Sequence, residues 1–370
     1  MTKLNFLVIG LLFAATTSFA QTAASRVAPV DNPPQFIVIG SDDNPNAQAV
    51  RWKANVLNSG TNKDGSRRLM SFYVNTDRWA WDTDLVDAIM EAYRAGHSIA
   101  NHTHTHLRCV GTSRNFGDFA TRESLEVIYA DIMMAQQAMI DAGIPREHQF
   151  GFRTPFLAYS DSTFTAMRKA GALYDSSINS GWTMSPGNHN WPYTLDIIPG
   201  VQEPDAIGNI AYDNCGSRNW WGRANPIREH PGLWVLPITL LEAHPDDRNR
   251  AYLDGPWVGG PESNLITGLD WNMWNQWNMD YGQTLRTLQH TLERSLAGNR
   301  APIIFGTHSQ MFFASGNNIS AEERRKAFEE FVEFASRLDD VFFVTGDMVI
   351  RWMKNPVSAA EFNPEDFFRE

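Results

Sequence analysis

Three groups of acidic and histidine residues, far apart in the chain, each end an apolar run. Asp42 and Asp43 follow Phe36-Ile37-Val38-Ile39-Gly40-Ser41, His102, His104 and His106 follow Ser98-Ile99-Ala100-Asn101, and His308 follows Pro302-Ile303-Ile304-Phe305-Gly306-Thr307. At the carboxyl ends of parallel strands such positions converge on one face, where α/β folds bind ligands. A carboxylate with two imidazoles suits a divalent metal such as zinc. The remaining carboxylate and imidazole are then available to move protons, an inventory for metal-assisted hydrolysis. His102 and His106 share a side if the chain turns helically between them, whereas His104 points elsewhere and reads as supporting or surface. Paired aspartates also occur in ordinary turns, so the pair gains its meaning from the histidines.

The elements needed to bring these groups together can be read from periodicity. Strands are expected at Phe36–Gly40, Leu69–Val74, His97–Asn101, Gln149–Arg153, Leu173–Asp175, Leu233–Ile238, Pro302–Thr307 and Val341–Thr345. Helices are expected at Asp82–Ala95, Glu123–Ala142, Asp161–Ala170, Gln283–Leu296 and Ser320–Leu338, with a last turn around Met348–Met353. Glycines 96, 143, 171 and 298 supply stops, and Ser320 with Glu323 has capping-box spacing. This alternation favours a parallel sheet, open or closed into a barrel. Between Trp182 and Trp277 the alternation fails. That stretch holds nine of the thirteen tryptophans and reads as long functional loops.

Composition narrows the setting. Residues 1–20, with Lys3, an apolar run from Leu4 to Phe13, and Ser18-Phe19-Ala20, read as a signal peptide. Its removal leaves 350 of 370 residues and, with Lys3 gone, a net charge of −12 instead of −11. The expected protein is exported, periplasmic or extracellular, with no later membrane span. The acidic balance disfavours nucleic acid and anionic membranes as partners and accommodates a neutral glycan. Cys109 and Cys215 could form one disulfide, which spacing alone does not decide.

The ordered set Asp42-Asp43, His102-x-x-x-His106, Arg153-Thr154-Pro155-Phe156 and Thr307-His308 resembles the motifs of the polysaccharide deacetylases, carbohydrate esterase family four. Asn101 to His106, Tyr174-Asp175-Ser176-Ser177, Trp191-Pro192-Tyr193, Asn299-Arg300-Ala301-Pro302 and Val341 to Thr345 resemble its chitin-deacetylase-like branch. The resemblance implies a distorted (β/α) barrel of the polysaccharide deacetylase type with long Trp-rich loop insertions. It divides the chain into a lead-in at 21–34, a catalytic domain at 35–356 and a tail at 357–370. Asp43, His102 and His106 would hold one divalent metal, with zinc expected, and Asp42 would be the general base. Arg153 would keep that base ionised, the Phe156 backbone N–H would bind the oxyanion, and His308 would be the general acid. The implied substrate is an acetylated glycan, with N-acetyl groups of chitin or its oligomers foremost.

Three positions depart from the family pattern. Ser41 stands where phenylalanine is common, and Phe156 where tyrosine is common. The family's Asp adjoining a Trp is not evident, leaving Asp175 and Trp182 as candidates for the group that tunes His308. Trp220, Trp221, Trp271, Trp274 and Trp277 are candidates for stacking on sugar rings, although the spacing of the last three also fits one buried helix stripe. Other readings are O-deacetylation, hydrolysis of a small cyclic amide on the same fold, and a glycan-binding protein without turnover. Retention of Asp42 and His308 argues against the last. A glycosidase would need two carboxylates flanking the bond, which one adjacent pair does not suggest.

Overall fold

The computed structural model describes residues 25–107, 124–179, 187–196, 228–247, 265–316 and 318–369. The expected signal peptide, Cys109, Cys215, Trp182, Trp220 and Trp221 lie outside these residues. Strands β1 (Gln35–Asp42), β2 (Ser71–Val74), β3 (Ser98–Asn101), β4 (Gly151–Phe152) and β5 (Tyr174–Asp175) run parallel in sequence order. Next to β5 lie β7 (His230–Val235) and then β6 (Tyr193–Leu195), which pairs antiparallel with β7. On the other side of β1 lie β10 (Ile303–His308) and β11 (Val341–Phe343), both parallel to it. The strands β8 (Leu240–Glu242) and β9 (Leu265–Thr267) form a separate antiparallel pair. The main sheet curls into a distorted (β/α) half-barrel.

Every residue of β1 is buried, as expected for a parallel strand covered on both faces. The period of two divides its side chains between two cores. Ile37 and Ile39 join a core under the helices, whereas Phe36 and Val38 face the barrel interior with Tyr73, Tyr174 and Ile304. The outer layer contains α1 (Ala47–Asn58), α2 (Thr83–Arg94), α3 (Leu125–Ala142), α4 (Asp161–Ala170), α5 (Tyr281–Ala297) and α6 (Ala321–Ala335). The last helix, α7 (Gly346–Lys354), instead adds Met348, Val349, Trp352 and Met353 to the interior core. Phe362 and Phe367 of the 357–370 segment pack into that same core, so this tail is part of the folded body.

Barrel closure depends on few bonds. Past β7, Leu236 and Ile238 donate their N–H groups to Asp175 and Ile178, following the direction of β5. Thr239 then donates its N–H to the Ile304 carbonyl, while its hydroxyl accepts from the Ile304 N–H at 2.9 Å. A side chain thus completes the join where a regular ladder is absent.

All the expected strands and helices are present within a few residues. The sequence reading assigned no helix to 47–58, and the structure explains why. The buried face of α1 is Ala49, Val50, Lys53, Ala54 and Leu57, so a lysine interrupts the apolar stripe.

Candidate active site

Alternation along β1 puts Asp42 on the interior side, in line with Phe36, Val38 and Gly40. Gly40 leaves room there: a Cβ at this position would lie 2.7 Å from an Arg153 nitrogen. Arg153 follows β4, is fully buried, and reaches Asp42 Oδ1 at 2.7 Å. Its other donors meet the Ser176 carbonyl at 2.7 Å and the Ser176 hydroxyl at 2.9 Å, and its guanidinium lies over the Tyr73 ring. The fork is held in one orientation, a task a lysine could not perform.

After Asp42 the chain enters a left-handed turn, with φ of 60° at Asp43 and 54° at Asn44. The turn lets adjacent carboxylates face one cavity, which an extended strand would prevent. Asn44 fastens it by donating to the Ser41 and Tyr73 carbonyls. The histidine segment does not take the helical turn that would put His102 and His106 on one side. It is a loop with φ of 67° at Thr103 and 54° at His106. Such conformations cost roughly 1–3 kcal/mol each for residues other than glycine and persist where their surroundings hold them. Here Asp131 of α3 accepts from the backbone N–H groups of His104 and Thr105 and from the Thr105 hydroxyl. His104 turns aside to Thr76, 2.8 Å away.

These turns bring Asp43, His102 and His106 together, with their ligand-type atoms all within 4.8 Å of one another. His102 Nδ1 lies 2.7 Å from the Arg153 carbonyl and must donate to it, leaving Nε2 for the cavity. The two Nε2 atoms lie 3.4 and 3.2 Å from Asp43 Oδ1, and that buried oxygen has no hydrogen-bond donor aligned on it. Burial would raise the Asp43 carboxyl, but the two imidazoles override it and hold the group well below the usual carboxylate range. Ligand atoms 2.0–2.2 Å from a tetrahedral ion are separated by about 3.3–3.6 Å. The donor set and spacing therefore fit a divalent cation.

On the neighbouring strand, His308 is the register partner of Asp42. Its carboxylate is Asp270, both of whose oxygens lie 3.2 Å from His308 Nδ1, and the His308 N–H also donates to Asp270. Burial opposes protonation of His308, but Asp270, and then Asp42 and Asp43, raise it to about 9. Asp270 is buried, which would raise its carboxyl, yet His308 and Lys53 hold it below the ordinary value. Asp175 does not take this place. It bonds the hydroxyl and N–H of Ser177 under the Arg153–Thr154 segment, and burial pushes it up to about 7. The missed signal was Asp270-Trp271, an Asp adjoining a Trp inside the tryptophan-rich stretch.

The aromatic candidates separate by burial. Trp274 and Trp277 are 1 % and 5 % exposed within the core under the helices, with Trp274 against Phe312 and Arg324. Protein covers their rings, which rules them out as sugar platforms and favours the buried-stripe reading. Trp271, beside Asp270, is 52 % exposed. Phe156 has φ of 58°, and its ring meets the His106 ring edge-on with centroids 4.5 Å apart.

A polysaccharide deacetylase family model matches residues 65–174. Chitin deacetylase 8 of Bombyx mori is 27% identical over 328 residues, covering 88% of this chain and 71% of that protein. Chitin deacetylase 1 of the same species is 25% identical over 347 residues, 92% of this chain and 55% of that protein. A family 4 carbohydrate esterase from Streptomyces lividans, solved with acetate, aligns at 11% identity and a TM-score of 0.40, over 84% of this chain and 92% of that one. Through the matched model, the two Bombyx mori relatives and the ordered motifs around one carboxylate–imidazole cluster, the chain is similar at superfamily level to the polysaccharide deacetylases and loosely related to the chitin deacetylases.

Proposed function

We propose that this protein is an exported, metal-dependent deacetylase that hydrolyses N-acetyl groups of GlcNAc-containing glycans, with chitin oligomers the favoured substrate and zinc the favoured metal. The observation that carries the reading is the grouping of Asp43, His102 and His106 beside two separately supported groups, Asp42 on Arg153 and His308 on Asp270. A carboxylate tied to a fixed guanidinium and an imidazole tied to a buried carboxylate make a candidate base and acid. The substrate preference rests on the two Bombyx mori chitin deacetylases, and export rests on residues 1–20.

When bound, a divalent ion would polarise the acetyl carbonyl and acidify water. Asp42 accepts the proton of the attacking water, and Arg153 holds its carboxylate aimed. The Phe156 N–H donates to the oxygen that becomes negative as the carbonyl carbon turns tetrahedral. When the C–N bond breaks, His308 transfers its Nε2 proton to the sugar nitrogen, so the amine leaves neutral and acetate remains. Asp270 fixes the ring by its Nδ1 and stabilises the charged form. Acetate release should be measured on chitin oligomers, peptidoglycan and acetylxylan with metal added. Release from the first is expected, release only from acetylxylan would make this an O-deacetylase, and no release from any would overturn the reading.

A further inference from the structure

The α1 lysine that interrupts an apolar stripe has no part in the steps above, yet lies directly beneath them. Lys53 is fully buried. Its Nζ donates to the Ser41 hydroxyl at 3.0 Å and to the Thr307 hydroxyl at 2.8 Å. Ser41 and Thr307 are register partners across β1 and β10, and the next pair is Asp42 and His308. Both hydroxyl hydrogens are already committed, Ser41 to Asn44 Oδ1 and Thr307 to the Gly40 carbonyl, each at 2.7 Å. Each oxygen therefore accepts from Lys53, and either an ammonium or an amine supplies the two hydrogens required.

We propose that Lys53 is a positioning residue of the hydrolytic site, a cross-tie that locks the Ser41–Thr307 pair and so sets the separation and aim of Asp42 and His308 one residue further on. The inference rests on the deacetylase reading for the roles of those two groups. Ser41 is integral to the tie, since its hydroxyl oxygen accepts one of the two Lys53 hydrogens while its own hydrogen goes to Asn44. A purely architectural lysine is hard to justify at this place. Burial draws it down to about 7 against the opposing charges of Asp270 and Asp42, and an apolar residue of similar length would avoid that desolvation cost. The Nζ also rests 4.6 Å from the Phe312 ring centroid, a surface that methionine would fill well.

The test is Lys53→Met, with Ser41→Ala and Thr307→Val each cutting one arm of the tie while keeping the lysine. In the metal-loaded protein, kcat on the best acetylated substrate should fall about 10–100-fold, as expected for misplaced reacting groups. KM and metal affinity should stay within about threefold, and Tm should be unchanged or higher for Lys53→Met. Amide hydrogen exchange should quicken at 41–44 and 305–308. The single-arm variants should show smaller losses of kcat. A kcat within twofold of wild type in Lys53→Met, or unchanged exchange at both strand ends, would overturn the proposal. So would a kcat loss matched by a fall in Tm and by loss of metal, which would make the lysine merely structural. Should wild-type protein release no acetate, the deacetylase reading fails on that result, while the exchange comparison still decides whether the tie exists.

Discussion

Asp42 and Asp43 are neighbours of one residue type with divergent surroundings. Asp42 meets a fixed guanidinium, and Asp43 faces two imidazoles. Asp42→Asn should therefore retain metal, measured by titration, and lose about 10²–10⁴-fold in turnover, because an amide cannot take the proton. Asp43→Asn should instead weaken metal binding first. His308→Ala should cost turnover far more than metal affinity, and equal losses in both would make His308 a ligand. The Asp270 pairing also has a pH signature. His308 is raised in the folded metal-free protein to about 9, above the ~6.5 of an unfolded histidine. Its contribution to stability is thus complete below about pH 6.5 and is lost as pH rises through 9. Thermal melts of metal-free wild type should decline more steeply over that window than those of Asp270→Asn, and parallel curves would remove Asp270 as the source. At this scale the carboxylate and histidine motifs were legible because each ends a strand. Asp270 was not, because the strand before it, Leu265–Thr267, is only three residues long and a short π-helical turn with its own tryptophan spacing follows.

Strands and caps, by contrast, were largely readable, since a two-residue or 3.6-residue period survives without knowledge of the partner. Two elements show where this stops. The period of α1 is broken by Lys53, whose burial makes sense only once Ser41 and Thr307 are beside it. The four-residue spacing of His102 and His106 left open whether the chain turns helically between them, and Asp131 of α3 holds it instead as a loop with positive φ at Thr103 and His106, a constraint from 26 and 27 residues away. Gly40 gives an element-level test. Gly40→Ala would put a methyl group within 2.7 Å of the Arg153 guanidinium and 2.9 Å of the Phe305 carbonyl. Displacing Arg153 from Asp42 should lower kcat by at least about tenfold and reduce Tm, whereas metal affinity should change less because the Arg153 side chain bonds Asp42 and Ser176 and none of the three ligand residues. Full activity in Gly40→Ala would show that the Arg153 position is not critical.

For the molecule as a whole, the half-barrel has a join that its ladders do not secure. Thr239→Val keeps shape but leaves the buried Ile304 N–H without its acceptor, at a cost of about 1–3 kcal/mol. Denaturant melts should reveal this as a lower midpoint with an unchanged slope. Metal should act in the opposite sense, because the donors come from two segments far apart in sequence, so holding them to one ion favours the folded chain. At about 100 times Kd the gain would be about 2.7 kcal/mol, and a chelator should reverse it. A chelator-insensitive Tm would count against the triad as a metal site.

The register of β1 against β10 has an evolutionary consequence. Asp42 and His308 keep their spacing through backbone ladder bonds, so the distance between proton acceptor and proton donor is inherited from the sheet's own repeat, about 4.8 Å per strand. A single residue inserted into 303–307 would turn the imidazole toward α1 and place its predecessor's hydroxyl at the cleft. Sequence drift that lengthens the loop around Phe156, which packs on His106, can reshape what the cleft admits, while any length change within β10 would abolish proton delivery outright. Substrate range and chemistry are thus written into segments with opposite tolerance for insertion, and a lineage can explore the first without endangering the second.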